Sequence, residues 1–267
     1  MTRLTFIKLG GSLITDKTQP YVPRLDKLAE LCQEISGVKA SAPPGLGLIL
    51  GHGSGSFGHT AARQYGTRQG VTDAQGWHGF AEVHFQAALL NHYVMEALNA
   101  ASIPALAFPP SASVIARDGQ VSVWEIEPLR RALANGILPV IYGDVAFDEV
   151  RGGTILSTED LFQHLARQFQ PGRILLAGLE PGVWTDFPLR TRLVEDIDPG
   201  LFAKLRAGVS GAVGADVTGG MESKVEQMLN LVKSVPGLEV VIFSAQEPGN
   251  LARALKGERL GTRIVGG

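Results

Sequence analysis

Along this chain, short unbroken apolar runs alternate with stretches in which apolar residues recur every three or four positions. The runs at 4–9, 46–50, 103–107, 137–142, 173–177 and 239–243 predict strands. Most lack polar alternation, so both of their faces are expected to be covered, as in a parallel sheet. Between them, Leu25, Leu28, Leu31 and Ile35 mark one amphipathic helix, and Met221, Val225, Met228, Leu229 and Val232 mark another. The longest helix is expected over about 73–100, where Trp77, Phe80, Val83, Phe85, Leu89, Leu90, Val94 and Leu98 offer more apolar surface than one core stripe needs. Two segments break the alternation: 114–124, centred on Asp118-Gly119, and 145–156, holding Gly152-Gly153, read as β-hairpins that form edge flaps or a lid. The pattern is that of an α/β protein with a largely parallel sheet.

Composition narrows the function classes. With 267 residues, 45% hydrophobic and 19% charged, the chain can bury a sizeable core without disulfides or metal. A net charge of -2 argues against a broad nucleic-acid footprint, which requires a basic surface. Cys32 is the only cysteine, which rules out an intramolecular disulfide or a multi-cysteine metal site. The first residues are too polar for a signal peptide and no run reaches about 20 apolar residues, so a cytoplasmic protein without membrane contact is expected. Glycine, at 33 residues, is abundant, and its placement carries the chemistry.

The first glycine unit is Lys8-Leu9-Gly10-Gly11-Ser12, followed by Thr15-Asp16-Lys17. A strand that runs into paired glycines lets backbone N–H groups approach a polyanion, with Lys8 and Lys17 as point charges on its oxygens. A strand, a tight turn and two surface lysines would look the same. A P-loop is rejected, because Asp16 stands where its second glycine is required. The second unit, 51–59, runs Gly-His-Gly-Ser-Gly-Ser-Phe-Gly-His and contains Gly53, Ser54, Gly55, Gly58 and His59. It satisfies G-x-G-x-x-G, so a dinucleotide site is a serious rival, while His52 also fits a buried hydrogen-bonding histidine. The third is Asp216-Val217-Thr218-Gly219-Gly220-Met221, which opens a helix with Lys224 one turn in. A lysine near a helix N-terminus is electrostatically unhelpful unless an anion sits there. A fourth group joins Gly143 and Asp144 at a strand end to Ser157-Thr158-Glu159-Asp160 before a helix. Asp160 could hold two lysines in register, although the same four residues are equally an N-capping sequence.

Taken together, these units resemble the amino acid kinase superfamily over essentially the whole chain. Within it, Ile14-Thr15-Asp16-Lys17 and the stretch from His52 to His59 are most similar to the isopentenyl phosphate kinases. The resemblance implies a three-layer αβα sandwich with β-hairpin flaps, an acceptor-binding lobe over about 1–165 and a nucleotide-binding lobe over about 166–267. It implies ATP with Mg2+ as phosphoryl donor, a small phosphomonoester as acceptor, and a homodimer. Lys8, Lys17 and Lys224 would neutralise the moving phosphoryl group, with Asp160 holding the lysines, and His59 would bind the acceptor phosphate. Gly10, Gly11, Ser12, Gly55, Gly219 and Gly220 would line the ATP phosphates. Gly53, Ser54, Gly58, Gly143, Asp144 and Thr158 would meet the acceptor. Ser54 and Thr158 stand where the family has glycines. Gly182 and Asp186 fall near the base and ribose, in a segment where Leu179 and Pro181 replace two acids of the family pattern. The expected reaction is phosphorylation of isopentenyl phosphate. The alternatives are another kinase of the superfamily acting on a phosphonate or carboxylate, a Rossmann-type oxidoreductase, and a non-catalytic nucleotide sensor.

Overall fold

In the computed structural model, which describes residues 4–41, 46–186, 189–209 and 219–266, the alternation resolves into two sheets and their covering helices. β1 (Thr5–Leu9) leads through a single turn, α1 (Gly11–Ile14), to α2 (Leu25–Ser41) and β2 (Leu48–His52). Next come α3 (Gly55–Tyr65), the long α4 (Ala74–Ala100), β3 (Ala105–Ala107) and α5 (Pro110–Ser113). The hairpin of β4 (Val114–Arg117) and β5 (Gln120–Trp124) precedes α6 (Glu127–Ala134), β6 (Leu138–Tyr142) and a second hairpin, β7 (Asp144–Asp148) with β8 (Gly152–Leu156). The remaining elements are α7 (Thr158–Phe169), β9 (Arg173–Gly178), β10 (Asp196–Ile197), α8 (Pro199–Val209), α9 (Gly219–Ser234), β11 (Glu239–Ser244), α10 (Asn250–Leu255) and β12 (Thr262–Ile264).

Eight strands form the larger sheet in the order β10-β12-β11-β9-β1-β2-β6-β3, and within it only the β11–β12 pairing is antiparallel. All six strands predicted from apolar runs enter it. β10 and β12, two and three residues long, are too short to leave a periodic signal.

Side-chain alternation along these strands builds the layers. Phe6, Ile49, Ile141, Ile174, Leu176, Val240 and Ile242 face one way, into a core shared with Leu161, Phe162 and Leu165 of α7 and Val225, Met228 and Val232 of α9. Their neighbours Ile7, Leu48, Leu50, Val140, Leu175, Val241 and Phe243 face the other way. There they meet Leu28, Leu31 and Ile35 of α2, Leu90, Val94 and Leu98 of α4, and Leu251 of α10. The apolar surplus of α4 is therefore divided: its C-terminal half covers the large sheet, while Phe80 and Val83 join Ala61, Val71 and Val145 in a separate cluster.

The two hairpins are not independent edge flaps. They join in the parallel register Ile115↔Phe147, giving a four-stranded sheet in the order β5-β4-β7-β8. Pairing covers two strand edges that separate flaps would leave open, and it lets Val114, Ala116, Trp124, Ala146 and Leu156 enter the main core. Among the described residues no helix is long and apolar enough to cross a membrane.

Candidate active site

Parallel strands deliver their C-terminal ends to one side of a sheet, where loops and helix starts form a crevice. Here Leu9, His52, Tyr142 and Ala177 lie in one hydrogen-bonded row at the ends of β1, β2, β6 and β9. Glycines follow these ends. The Gly10 N–H donates to the Ala177 carbonyl at 2.8 Å, and the Gly53 N–H donates to the Leu9 carbonyl at 2.9 Å.

The first two glycine units touch. A Cβ at Gly11 would stand 2.5 Å from the Gly55 Cα, and one at Gly53 would stand 2.9 Å from the Gly11 nitrogen. Gly55 itself has φ +50°, in the left-handed region that favours glycine. Thr15 stitches the loops together: its hydroxyl donates to the Gly11 carbonyl at 2.8 Å and accepts from the Ser56 N–H at 3.1 Å. Ser54 has φ -77°, so its side chain is accommodated without strain. Only glycine allows backbones to come this close, and the result is main-chain contact between the two loops at the start of α3.

The predicted lysines converge beside this contact. Lys8 forms an ion pair with Glu159, which is only 8% exposed. Burial opposes the Glu159 charge, but Lys8 and then Lys224 hold its carboxyl well below the usual carboxylate range. For Lys224, burial is the largest influence and pushes the ammonium down; Glu159 opposes this, while the charges of Lys8 and Lys17 add to it. Glu159 thus feels the charges of Lys8 and Lys224, and Lys224 feels those of Lys8 and Lys17, although the three lysines lie far apart along the chain. The cluster holds a surplus of positive charge, and polyanions are the ligands that balance it.

The structure gives several of the expected site residues other partners. The expectation puts Asp160 on the lysines, where Glu159 stands. Instead Asp160 completes a capping box with Ser157: its Oδ2 accepts from the Ser157 N–H at 2.8 Å and from the Ser157 hydroxyl at 2.7 Å, and it pairs with Arg68 at 3.2 Å. The box consumes the third helical residue, which leaves the second, Glu159, to reach the lysines. Thr158 does not offer its hydroxyl to a ligand, because that group donates to the His52 carbonyl at 2.6 Å in a buried setting. The Asp144 side chain is fully buried against His84 rather than open to an acceptor. Gly143 remains at the crevice, where a Cβ would lie 3.6 Å from the Thr158 nitrogen.

Beyond β9, Asp186 holds a local turn. Its Oδ1 accepts from the backbone N–H groups of Thr191 at 3.1 Å and Arg192 at 3.2 Å, and its Oδ2 accepts from the Thr191 hydroxyl. Gly182 packs against β12, where a Cβ would meet the Thr262 hydroxyl at 2.5 Å. Near them, Glu180 accepts from the Trp184 indole at 3.1 Å and pairs with Arg190. Gly58 leaves room for Ser54, Ser12 lies in α1, and Gly219 and Gly220 open α9. The His59 side chain and the stretch 216–218 lie outside the described residues, although the His59 backbone is part of α3.

His52 shows the bland alternative for a histidine. It is fully buried, stacks on Tyr142 at 5.3 Å and hydrogen-bonds Asn91 at 3.3 Å. Burial, helped by the Lys8 charge and opposed by its hydrogen bonds, pushes it down to about 4. The folded state therefore favours the neutral ring, while the unfolded ring takes up a proton below about 6.5. Between these values the unfolded state binds more protons, so stability is expected to fall as pH drops from about 6.5 towards 4. Urea midpoints of wild type and His52→Gln across that window check this; the variant should show the shallower decline.

The amino acid kinase family matches residues 3–244. The chain is 35% identical to the isopentenyl phosphate kinase of Methanothermobacter thermautotrophicus, covering 98% of this chain and 99% of that protein. It is 30% identical to the isopentenyl phosphate kinase of Methanocaldococcus jannaschii, with 98% of both covered. Among solved structures, an isopentenyl phosphate kinase superposes with TM-score 0.82 at 32% identity, over 98% of this chain and 100% of that one. With residues 3–244 of its 267 matched, the chain belongs to the amino acid kinase family.

Proposed function

We propose that the protein transfers the terminal phosphoryl group of ATP to isopentenyl phosphate, giving isopentenyl diphosphate. The observation that carries this is the placing of Lys8 and Lys224 at the buried Glu159 carboxylate, with Lys17 acting on Lys224, beside two glycine loops in direct contact. Two polyanions brought together repel each other, and a site with excess positive charge offsets that repulsion. Phosphoryl transfer needs little else from the protein than alignment and charge stabilisation. An acceptor phosphate is already nucleophilic at neutral pH, so no strong general base is required. The full-length similarity to isopentenyl phosphate kinases supports this acceptor over a phosphonate or carboxylate.

In this scheme Lys8, Lys17 and Lys224 meet the phosphates, Gly10, Gly11, Ser12, Gly55, Gly219 and Gly220 carry the ATP side, and Gly53, Ser54, Gly58, Gly143 and His59 carry the acceptor side. The acceptor lobe is then about 1–165 and the nucleotide lobe about 166–267, with the ATP phosphates reaching the glycine loops of the first. The cradle that a Cβ would fill suits phosphate oxygens. Protein carboxylates do not suit Mg2+ here: among the described residues no group of three or more His, Cys, Asp or Glu converges, and Glu159 is engaged by lysines. Mg2+ arriving with ATP would therefore rest on the phosphates. We further propose a cytoplasmic homodimer, for which the short edge strand β3, with Leu106 half exposed, offers a pairing edge.

The test is ADP release on isopentenyl phosphate, dimethylallyl phosphate, fosfomycin and acetylglutamate. Turnover should be greatest with isopentenyl phosphate, and His59→Ala should raise the KM for it about tenfold or more while leaving the KM for ATP near wild type. Preference for fosfomycin or acetylglutamate would overturn the acceptor assignment.

A further inference from the structure

The four-stranded sheet meets the large sheet at Gly143, and one polar cluster sits at that junction. Asp144, the first residue of β7, has a fully buried side chain. Its oxygens lie 3.1 and 3.3 Å from Nδ1 of His84, on α4, and its Oδ1 also accepts the Val145 N–H at 2.8 Å. A carboxylate only accepts, so Nδ1 of His84 carries the proton. The same nitrogen lies 3.2 Å from the Ser111 hydroxyl of α5. The hydrogen bond to Asp144 raises the His84 pKa, against the effect of burial. Among the described residues no lysine or arginine pairs with Asp144, so His84 is its counter-group.

The consequence is mechanical. Asp144 is bonded through the chain to Gly143, whose N–H donates to the His52 carbonyl at 3.3 Å beside the start of α7. The start of α7 has holds of its own, the capping box and the Thr158 hydroxyl on that same His52 carbonyl, and it is also tied to β7 through the Asp144↔Leu156 pair. Loss of the His84 contact would therefore act first on Gly143, which is bonded directly to Asp144, and less on Glu159 and Lys8, which lie beyond those holds. From this geometry we propose that His84 is a positioning residue for the acceptor: it latches α4 to β7 through Asp144 and so fixes Gly143 in the acceptor half of the crevice. The proposal rests on the acceptor assignment above.

The test compares wild type, His84→Gln, which retains a donor, and His84→Leu, which strands a buried carboxylate. His84→Leu should raise the KM for isopentenyl phosphate about tenfold, in keeping with an unsatisfied buried group, and leave the KM for ATP within about twofold. His84→Gln should stay near wild type in both. Hydrogen exchange over 143–148 should be about tenfold faster in His84→Leu than in wild type and restored in His84→Gln, on the same grounds. Equal changes in both KM values, or unchanged exchange, would overturn the proposal. If His84→Leu does not fold, His84→Leu/Asp144→Asn removes the stranded charge; it should fold and still show the acceptor-specific KM rise, and a wild-type KM would overturn the latch. Absence of turnover by wild type on isopentenyl phosphate would sink the acceptor assignment instead, and the exchange comparison then decides the latch alone.

Discussion

Lys8→Met is expected to lower kcat about a hundred- to a thousandfold, the usual cost of removing one electrostatic partner of a transition state. The same change leaves Glu159 buried without its ion-pair partner. Breaking a buried pair from one side costs about 3 kcal/mol or more, a loss moderated here because Lys224 still faces the carboxylate. Lys8→Met should therefore lower both the thermal midpoint and kcat. Lys8→Met/Glu159→Gln separates the two effects: neutralising the stranded carboxylate should restore much of the midpoint and none of the turnover. Recovery of kcat in the double variant would mean that Lys8 serves only to balance Glu159, and its assignment to the moving phosphoryl group would be lost.

Gly55→Ala should be the most damaging small substitution in the cradle. Its backbone has φ +50°, and a Cβ there would run into the Thr15 side chain and stand 2.8 Å from the Gly11 carbonyl oxygen. Left-handed strain contributes about 1 kcal/mol and overpacking about 2 kcal/mol more. Gly136→Ala is the matching control, since Gly136 has φ +73° but nothing within 4 Å of the added carbon. Gly136→Ala should cost about 1 kcal/mol from strain alone and leave kcat/KM unchanged, whereas Gly55→Ala should lower the midpoint further and abolish most activity. Equal losses in the two variants would show that crowding between the glycine loops is unimportant.

The sequence announced the strands of the large sheet because a buried parallel strand needs an apolar run, and it announced the glycine loops because backbone contact this close excludes any Cβ. It did not announce β10 and β12, whose pairing is imposed by neighbours rather than by their own composition. Local pattern also could not show that the hairpins share a sheet, since β4 and β7 lie far apart in the chain. The different partners of Glu159 and Asp160 are legible in the sequence. Ser157 followed three residues later by an acid predicts a capping box, and that rule alone assigns Asp160 to the helix end and frees Glu159. The partners of Asp144 and Asp186 were hidden for a different reason: an acid looks the same in sequence whether it faces a ligand, a buried histidine or its own turn. His84 gave no signal, because its partners come from elements 27 and 60 residues away.

The row formed by Leu9, His52, Tyr142 and Ala177 has an evolutionary implication. In the proposed scheme donor and recipient molecules are anchored to neighbouring ends of one stiff lattice, so their relative placement would be inherited with the lattice itself. Changes in the connecting segments beyond the row can then retune which recipient is accepted without having to rediscover the alignment of the two.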